Sequence, residues 1–302
     1  MSSLALLPLC FALGYLLRLS GRLPLEAHKA LNAVVINVAL PALVLRHVHG
    51  LTLDPALLLP AVMPWVLFGL GVAFFGLVGR FRGWSPHTIG GLMLTGGLAN
   101  TSFVGLPMIE AFYGPGLLSV GIVADQLGSY FVLGTLGVLA ATLLSAAGPV
   151  SFGLLLRSVV SFPPFQAMVL AIVLSPVPYP DAVTVLLDRL SAMLTPLALI
   201  SVGYQLRFSG IRSNLAELSA GLFYKLLLGP ALMAVLFATG FKLHGAVLQV
   251  SVFEAAMGPH IGAAIVAINH GLNPRLVTLM VGLGIPLSLL TASMWSQLLR
   301  GI

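Results

Sequence analysis

Apolar segments long enough to cross a membrane follow one another along almost the whole 302-residue chain. A transmembrane α-helix needs about 20 apolar residues. Ten such segments can be drawn, at residues 4–19, 29–46, 57–79, 87–113, 116–146, 152–174, 182–206, 214–239, 244–270 and 275–299. Only 7% of the residues are charged, whereas a soluble domain carries about 25%. The sequence therefore predicts an all-α membrane protein with ten transmembrane helices and no soluble domain.

Lysine and arginine predict the orientation, because they collect in cytoplasmic loops. One set of loop ends carries ten of these residues and the other carries four. The larger set is Arg18, Arg22, Lys29, Arg80, Arg82, Arg157, Arg207, Arg212, Lys225 and Arg275. Both termini are then outside, and a bacterial inner (plasma) membrane is the expected location. The charges are scattered singly rather than clustered in a patch, so we expect no nucleic-acid partner.

The fourth segment is interrupted from Gly96 to Gly116 by glycines and polar residues. Asn100, Thr101 and Ser102 lie inside the apolar stretch, and Pro107 cannot donate a helical hydrogen bond. Within a bilayer, such a break is tolerated only where it faces protein or a water-filled cavity. We therefore predict a discontinuous helix whose broken middle faces a binding site.

A second interruption, from Phe253 to Gly271, lies in the ninth segment. Its polar break contains Gly258, Pro259 and His260. Two broken helices at corresponding places in the two halves of one chain are typical of secondary transporters. These three residues therefore join the predicted substrate site.

The two halves of the chain, residues 1–148 and 149–302, have prolines and glycines at similar positions. Pro41 in the second segment and Pro196 in the seventh are 155 residues apart and fall at the same depth. With five segments in each half, the second half enters the membrane from the opposite side, which predicts an inverted repeat. Both prolines are expected to bend helices beside the site, although packing alone would explain them equally well.

Several buried polar residues could carry chemistry. Asn100 could donate to a carboxylate, or it could only cap the second half-helix. His260 could donate to an anion, carry a proton, or pack against a carbonyl group. Asp125 and Glu254 are carboxylates inside apolar segments and are candidates for proton coupling. We expect Asp188 and Arg189 to form a local ion pair.

Known enzyme motifs are absent from the sequence, including the nucleophile, zinc and phosphate-loop patterns. A single cysteine excludes an internal disulfide and a cysteine-based metal site. We therefore expect no catalytic residues, no cofactor and no metal.

The pattern G-x-x-N-x-x-F-x-G-x-P resembles the fourth-span motif of the auxin efflux carrier family. Its residues here are Gly97, Asn100, Phe103, Gly105 and Pro107. Other resembling stretches are Ile36 to Pro41, Leu197 to Leu206, Glu254 to Pro259 and Gly284 to Pro286. The compact chain, without the long cytoplasmic loop of many plant members, looks like a prokaryotic member.

The resemblance implies ten spans in two inverted repeats of five, with spans four and nine crossing at the substrate site. It also implies a scaffold part and a transport part that move against each other, which is an elevator mechanism. The family's crossing asparagine corresponds to Asn100 and its ninth-span proline to Pro259. Plant members export the auxin anion, and bacterial members are associated with malate, malonate or other organic acids.

The favoured function is secondary transport of a small organic anion, a carboxylate. Half-helices starting near Ser102 and Pro259 would aim their positive ends at the crossing, without a fully buried lysine or arginine nearby. The alternatives are a cation/proton antiporter, a membrane sensor that binds without transport, and an intramembrane enzyme using His260, Glu254 and Asp125. The expected partners are the anion and membrane lipid, and a homodimer is left open.

Overall fold

The computed structural model describes residues 3–49, 55–145, 160–205 and 211–301, together with Gly153. Within these residues the chain is helical, apart from short connections and one isolated bridge. This confirms the predicted all-α fold. The predicted boundary between the halves near Gly148 lies outside the described residues, as do Arg157 and Arg207.

The first half of the described chain contains six helices. They are α1 (Ser3–Ser20), α2 (Ala27–Val48), α3 (Pro55–Arg82), α4 (Pro86–Gly97), α5 (Thr101–Gly105 continued by Leu106–Tyr113) and α6 (Pro115–Leu144). The predicted fourth segment is thus divided into α4 and α5, with three residues between them.

Seven helices follow in the described part of the second half. They are α7 (Pro163–Val173), α8 (Asp181–Ser191), α9 (Leu194–Tyr204), α10 (Leu215–Gly240), α11 (Gly245–Ala255), α12 (Ile261–Asn269) and α13 (Pro274–Leu298). The predicted ninth segment is likewise divided, into α11 and α12.

Six helical stretches of the described chain are long and apolar enough to cross a membrane. They are Ala27–Val48, Leu58–Arg82, Pro115–Leu144, Asp181–Tyr204, Leu215–Gly240 and Pro274–Leu298. Shorter apolar helices occupy Leu6–Ser20, Pro163–Val173 and Gly245–Ala255. These lengths fit an integral membrane protein, and the complete ten-helix arrangement stays a prediction.

Capping residues define several helix ends. The Ser85 hydroxyl accepts a hydrogen bond from the backbone N–H of Thr88, and a proline occupies the next position. Asn273 caps α13 in the same way before Pro274. Gly114, with φ of 85°, ends α5 in a conformation that a side chain would disfavour. Capping side chains, prolines and a glycine thus define these helix boundaries.

Glycines bring α1 and α9 into close contact. A Cβ atom added at Gly14 would lie 2.8 Å from the carbonyl carbon of Ile200, and one at Gly203 would lie 3.0 Å from that of Phe11. Such close backbone approach through small residues is typical of helix packing in membranes. It holds α1 against α9 on one side of the molecule.

Wider π-helical turns interrupt α2 at Val35–Ala39 and α6 at Ala124–Ser129 and Leu133–Gly137. Single π-turns inside α-helices occur often at functional sites, since they redirect side chains. The first π-turn of α6 carries Asp125, which faces the break between α4 and α5.

Candidate functional site

The two helix breaks meet in a short antiparallel bridge between Ala99 and Pro259. Two backbone hydrogen bonds flank it, from the N–H of Asn100 to the carbonyl of Gly258 at 2.8 Å and from the N–H of His260 to the carbonyl of Leu98 at 3.2 Å. Peptide groups that leave a helix inside a membrane need such partners. Each break therefore provides hydrogen-bond partners for backbone groups of the other.

The side chains on either side of this bridge cap the two half-helices. The Oδ1 atom of Asn100 accepts from the backbone N–H of Phe103 at 3.1 Å, and Nδ1 of His260 accepts from that of Ala263 at 3.3 Å. The half-helices begin at Thr101 and Ile261, close to the predicted starts. Both therefore direct the positive ends of their dipoles toward the crossing.

Asn100 combines a capping role with an unused donor. Its side chain is 1% exposed, and its Nδ2 atom is buried without a hydrogen-bond partner. A buried amide N–H without a partner costs about 1–3 kcal/mol. An acceptor arriving at this position would recover that free energy.

Asp125 is the centre of a buried hydrogen-bond network. Its Oδ1 atom accepts from the hydroxyls of Thr101 and Ser102, both at 2.5 Å, and its Oδ2 atom accepts from the amide of Gln126 at 2.6 Å. All four side chains are at least nine-tenths buried. The predicted residues Thr101 and Ser102 thus bind Asp125, and their hydroxyl protons are already used.

A cavity of about 130 Å³ opens beside these groups. Its polar lining consists of Asn32, Asn100, Ser102, Asp125, Tyr130 and His260. The remaining walls are apolar and include Ile36, Leu40 and Leu133. The structure therefore brings four sequence-predicted site residues into one enclosure, which has room for a small molecule.

One wall of this cavity is aromatic. The rings of Tyr130 and Phe162 stack with their centroids 3.9 Å apart and their planes 12° apart. The two residues belong to α6 and to the segment just before α7, so their meeting depends on tertiary packing. Sequence reasoning missed both, and Asn32 as well.

Lys225 corrects two predictions. The charge count predicts a cytoplasmic loop end for Lys225, and the sequence predicts no buried cation near the crossing; both predictions are wrong. Lys225 lies inside α10 and is fully buried, and its Nζ atom donates to the carbonyl of Ala255 at 2.8 Å. Its flanking sequence, apolar on both sides, was the available signal.

Glu254 lies at the end of α11, next to the second break. It is fully buried, and neither carboxyl oxygen has a hydrogen-bond partner. Two glycines make room for it, since a Cβ at Gly105 would lie 2.6 Å from its carboxyl carbon and one at Gly121 3.0 Å from Oε1. The carboxyl group therefore packs against the backbones of α5 and α6.

The predicted prolines have different positions. Pro107 is the second residue of the regular part of α5, beyond the break. Pro41 follows the π-turn of α2, and Pro196 lies in the first turn of α9. Among the described residues that line the cavity, none of these three appears.

Asp188 pairs across helices rather than locally. Its Oδ1 atom lies 2.7 Å from Nε of Arg46 on α2. The predicted pair with Arg189 is therefore wrong. Both paired side chains are partly exposed, so the contribution of this ion pair to stability is small, about 0–1 kcal/mol.

The profile of a family described as membrane transport proteins matches residues 1–146 and 150–296, which is nearly the whole chain. The chain belongs to the auxin efflux carrier family. The resemblance drawn from the fourth-span pattern is thereby confirmed, together with the general assignment to membrane transport.

Two archaeal proteins are similar to this auxin efflux carrier family member along almost their full length. An uncharacterized transporter of Methanothermobacter thermautotrophicus is 29% identical over 290 residues, covering 95% of this chain and 94% of that protein. An uncharacterized transporter of Methanocaldococcus jannaschii is 24% identical over 301 residues, with the same coverage. Both are consistent with a compact prokaryotic-type member.

Proposed function

We propose that this protein is a secondary transporter that moves a small organic anion, a carboxylate, through the crossing of its two broken helices. The observation that carries the proposal is the unpartnered amide Nδ2 of Asn100, buried in the cavity wall. A carboxylate oxygen is the acceptor that such a donor lacks.

The electrostatics of the crossing support an anion. Each helix N-terminus is equivalent to about half a positive charge, so the two half-helices together supply about one. His260 adds a donor, because an imidazole whose Nδ1 accepts a hydrogen bond carries its proton on Nε2. The carboxylate of Asp125 opposes an anion, but its oxygens are already occupied by three donors.

The order of the helices supports two inverted repeats, residues 1–148 and 149–302. In each half, a divided helix, α4–α5 or α11–α12, is followed by one long helix, α6 or α13. The bridge between the two breaks is antiparallel, as expected where equivalent segments run in opposite directions. The halves should superpose through an axis in the membrane plane.

Helix contacts support an elevator-type movement. The helices α1, α2, α7, α8 and α9 pack mainly on one another, and α3, α4, α6, α10, α11, α12 and α13 form a second group. The site lies between the groups, since Asn32 of α2 and Asn100 both line the cavity. Sliding of the second group against the first would carry the site between the two sides of the membrane.

The charge of Asp125 also favours one alternative. It is the only acidic residue among the described residues that line the cavity, and an acidic cavity suits a cation. In a cation/proton antiporter, Asp125 would exchange a proton for the cation. An antiporter would respond to cations and not to carboxylates.

A binding screen followed by a flux assay tests the proposal. The melting temperature of the purified protein would be measured in the presence of malonate, L-malate, benzoate or indole-3-acetate, and in the presence of sodium chloride or potassium chloride. A ligand that binds the folded state raises the melting temperature. We expect at least one carboxylate to do so, and we expect proteoliposomes to take up the same compound. A shift from a cation alone would favour the antiporter, and binding without uptake would favour a sensor.

A further inference from the structure

A cluster of buried charged residues lies behind the crossing, and transport of an anion alone does not require it. The cluster consists of Asp125, Lys225 and Glu254, none of which is more than 2% exposed. Glu254 packs against Gly121 of α6, one turn before Asp125, and Lys225 donates to the carbonyl of Ala255, the residue after Glu254. Buried ionisable residues are costly in a membrane protein, so they indicate a role in the transport cycle.

The two carboxyl groups of this cluster have opposite environments. Asp125 accepts three hydrogen bonds, as an ionised carboxylate requires. Glu254 accepts none, although both of its oxygens are buried. Burying a charged carboxylate without any donor is far more costly than burying the neutral acid. Glu254 is therefore the group whose surroundings suit a bound proton.

Lys225 is the cation that could compensate the negative charge of Glu254 once the proton has left. Its ammonium donates to the carbonyl of Ala255, the residue that follows Glu254. No ion pair within 4.0 Å joins Lys225 to Glu254 in the described part of the chain. The ammonium thus has a neutral hydrogen-bond partner on the residue that follows Glu254.

We propose that Glu254 binds and releases one proton during each transport cycle, and that Lys225 becomes its partner when the proton leaves. In the release step, the O–H bond of Glu254 breaks and its proton passes to water on the side to which the site is open. Lys225 keeps its three protons and moves from the Ala255 carbonyl to the new carboxylate. Protonation reverses both movements.

This coupling rests on the proposed transport of an anion. An ionised Glu254 would add a second negative charge near a site that already contains Asp125, so the anion binds more favourably when Glu254 is protonated. Since binding is linked reciprocally, the anion also favours proton uptake. The anion and the proton therefore travel together, as in a symporter.

The position of Glu254 connects its charge to the crossing. Its carboxyl group lies against Gly105 of α5, the half-helix that begins beside the cavity. The helix that carries it, α11, packs on α3, α5, α6, α10 and α13. The other charged residues on the described parts of these helices are Arg80, Arg82, Glu110, Glu217 and Arg275, and none of them forms an ion pair with Glu254.

Infrared spectroscopy can detect this proton without any ligand. The C=O stretch of a protonated carboxyl group is resolved from that of a carboxylate, and an ester-free detergent keeps the region clear. Near neutral pH, we expect this band in the wild type and in Asp125→Asn, and we expect its loss in Glu254→Gln. Glu26→Gln is the matched control, because that carboxylate is exposed and paired with Lys29. A wild type without the band, or a band lost only in Asp125→Asn, would overturn the assignment.

Flux measurements then test the coupling. With the carboxylate that gives the largest shift among the four named above, acid on the uptake side should accelerate wild-type uptake several-fold. Glu254→Gln should bind the anion but show uptake that is insensitive to the gradient, while Glu26→Gln should behave as the wild type. A gradient-insensitive wild type would refute the symport and leave anion transport standing. If no carboxylate binds, the transport proposal fails, whereas the infrared result still decides the state of Glu254.

Discussion

The hydroxyl of Thr101 lies 2.5 Å from the Oδ1 atom of Asp125, so the first residue after the helix break is tied to a carboxylate on α6. The two residues are 24 positions apart in the sequence. The bond holds the start of α5 beside the π-turn that carries Asp125. The geometry of the crossing thus depends on a side-chain contact as well as on the backbone bridge.

Replacing Thr101 with valine should destabilise the crossing, because valine keeps the shape but cannot donate to Asp125. A hydrogen bond to a charged group contributes about 1.5–3 kcal/mol. Thermal melting in detergent would measure the loss. Thr142→Val is the control, since Thr142 bonds only to a carbonyl of its own helix and should change little. Equal melting temperatures for the two variants would contradict the prediction.

Asn100→Ala should leave the protein folded and weaken carboxylate binding about ten- to a hundredfold, which corresponds to one hydrogen bond to a charged group. Some stability is also lost, because the cap on α5 disappears. Titration calorimetry with the selected carboxylate would measure the affinity. Asn37→Ala, an exposed asparagine bonded within α2, should bind normally. Unchanged affinity in Asn100→Ala would remove this residue from the site.

Substitutions of His260 should distinguish its role as a helix cap from its role in anion binding. Asparagine is a favourable cap, so His260→Asn should keep most of the stability, whereas His260→Ala should lose about 1 kcal/mol. Both variants should bind the anion more weakly, because alanine has no donor and the shorter asparagine places its amide away from the position of Nε2. If His260 acts only as a neutral donor, the pH dependence of uptake should survive both changes. A flattened pH dependence would instead make His260 the proton carrier.

Gly105→Ala should destabilise the protein, because the added methyl group would collide with the carboxyl group of Glu254. Overpacking of this kind costs about 1–3 kcal/mol. Gly69→Ala is a suitable control, since nothing lies within 4 Å of an added Cβ there. The two melting temperatures give the comparison. If Gly105→Ala has the same melting temperature as the Gly69→Ala control, the carboxyl group is not packed against α5.

Phe162→Ala should change the size of acid that the site accepts. Loss of the ring removes one face of the aromatic wall and enlarges the cavity. The binding screen should then shift in favour of indole-3-acetate relative to malonate. Phe165→Ala is the matched control, because Phe165 contacts Phe131 and is not among the lining residues in the described structure. An unchanged ranking of ligands would exclude the wall from size selection.

The sequence predicted the features that depend on local chemistry. Gly96–Gly97 and Gly258–Pro259 mark the breaks, because glycine and proline interrupt helices wherever they occur in an apolar span. Asn100 and His260 were found because polar residues at such breaks need partners. Both turned out to be caps with a remaining donor, which combines interpretations that the sequence left open.

Features that depend on packing between helices were missed. Lys225 resembles a loop-end residue when charges are counted, although its flanking residues are apolar, and its contact with Ala255 places it in the interior. The stacking of Tyr130 on Phe162 and the ion pair of Arg46 with Asp188 join distant segments. A single sequence contains no direct signal for such pairings.

The bridge between the two breaks has a consequence for how the chain is made. The amide of Asn100 finds its acceptor in Gly258, which the ribosome adds more than 150 residues later. Until then, peptide groups at the first break lack hydrogen-bond partners, so this segment cannot adopt its final transmembrane structure. Its final insertion must therefore wait for the second segment, so the late part of the chain completes the early part. A truncation that ends before residue 258 should leave α4 and α5 accessible to protease.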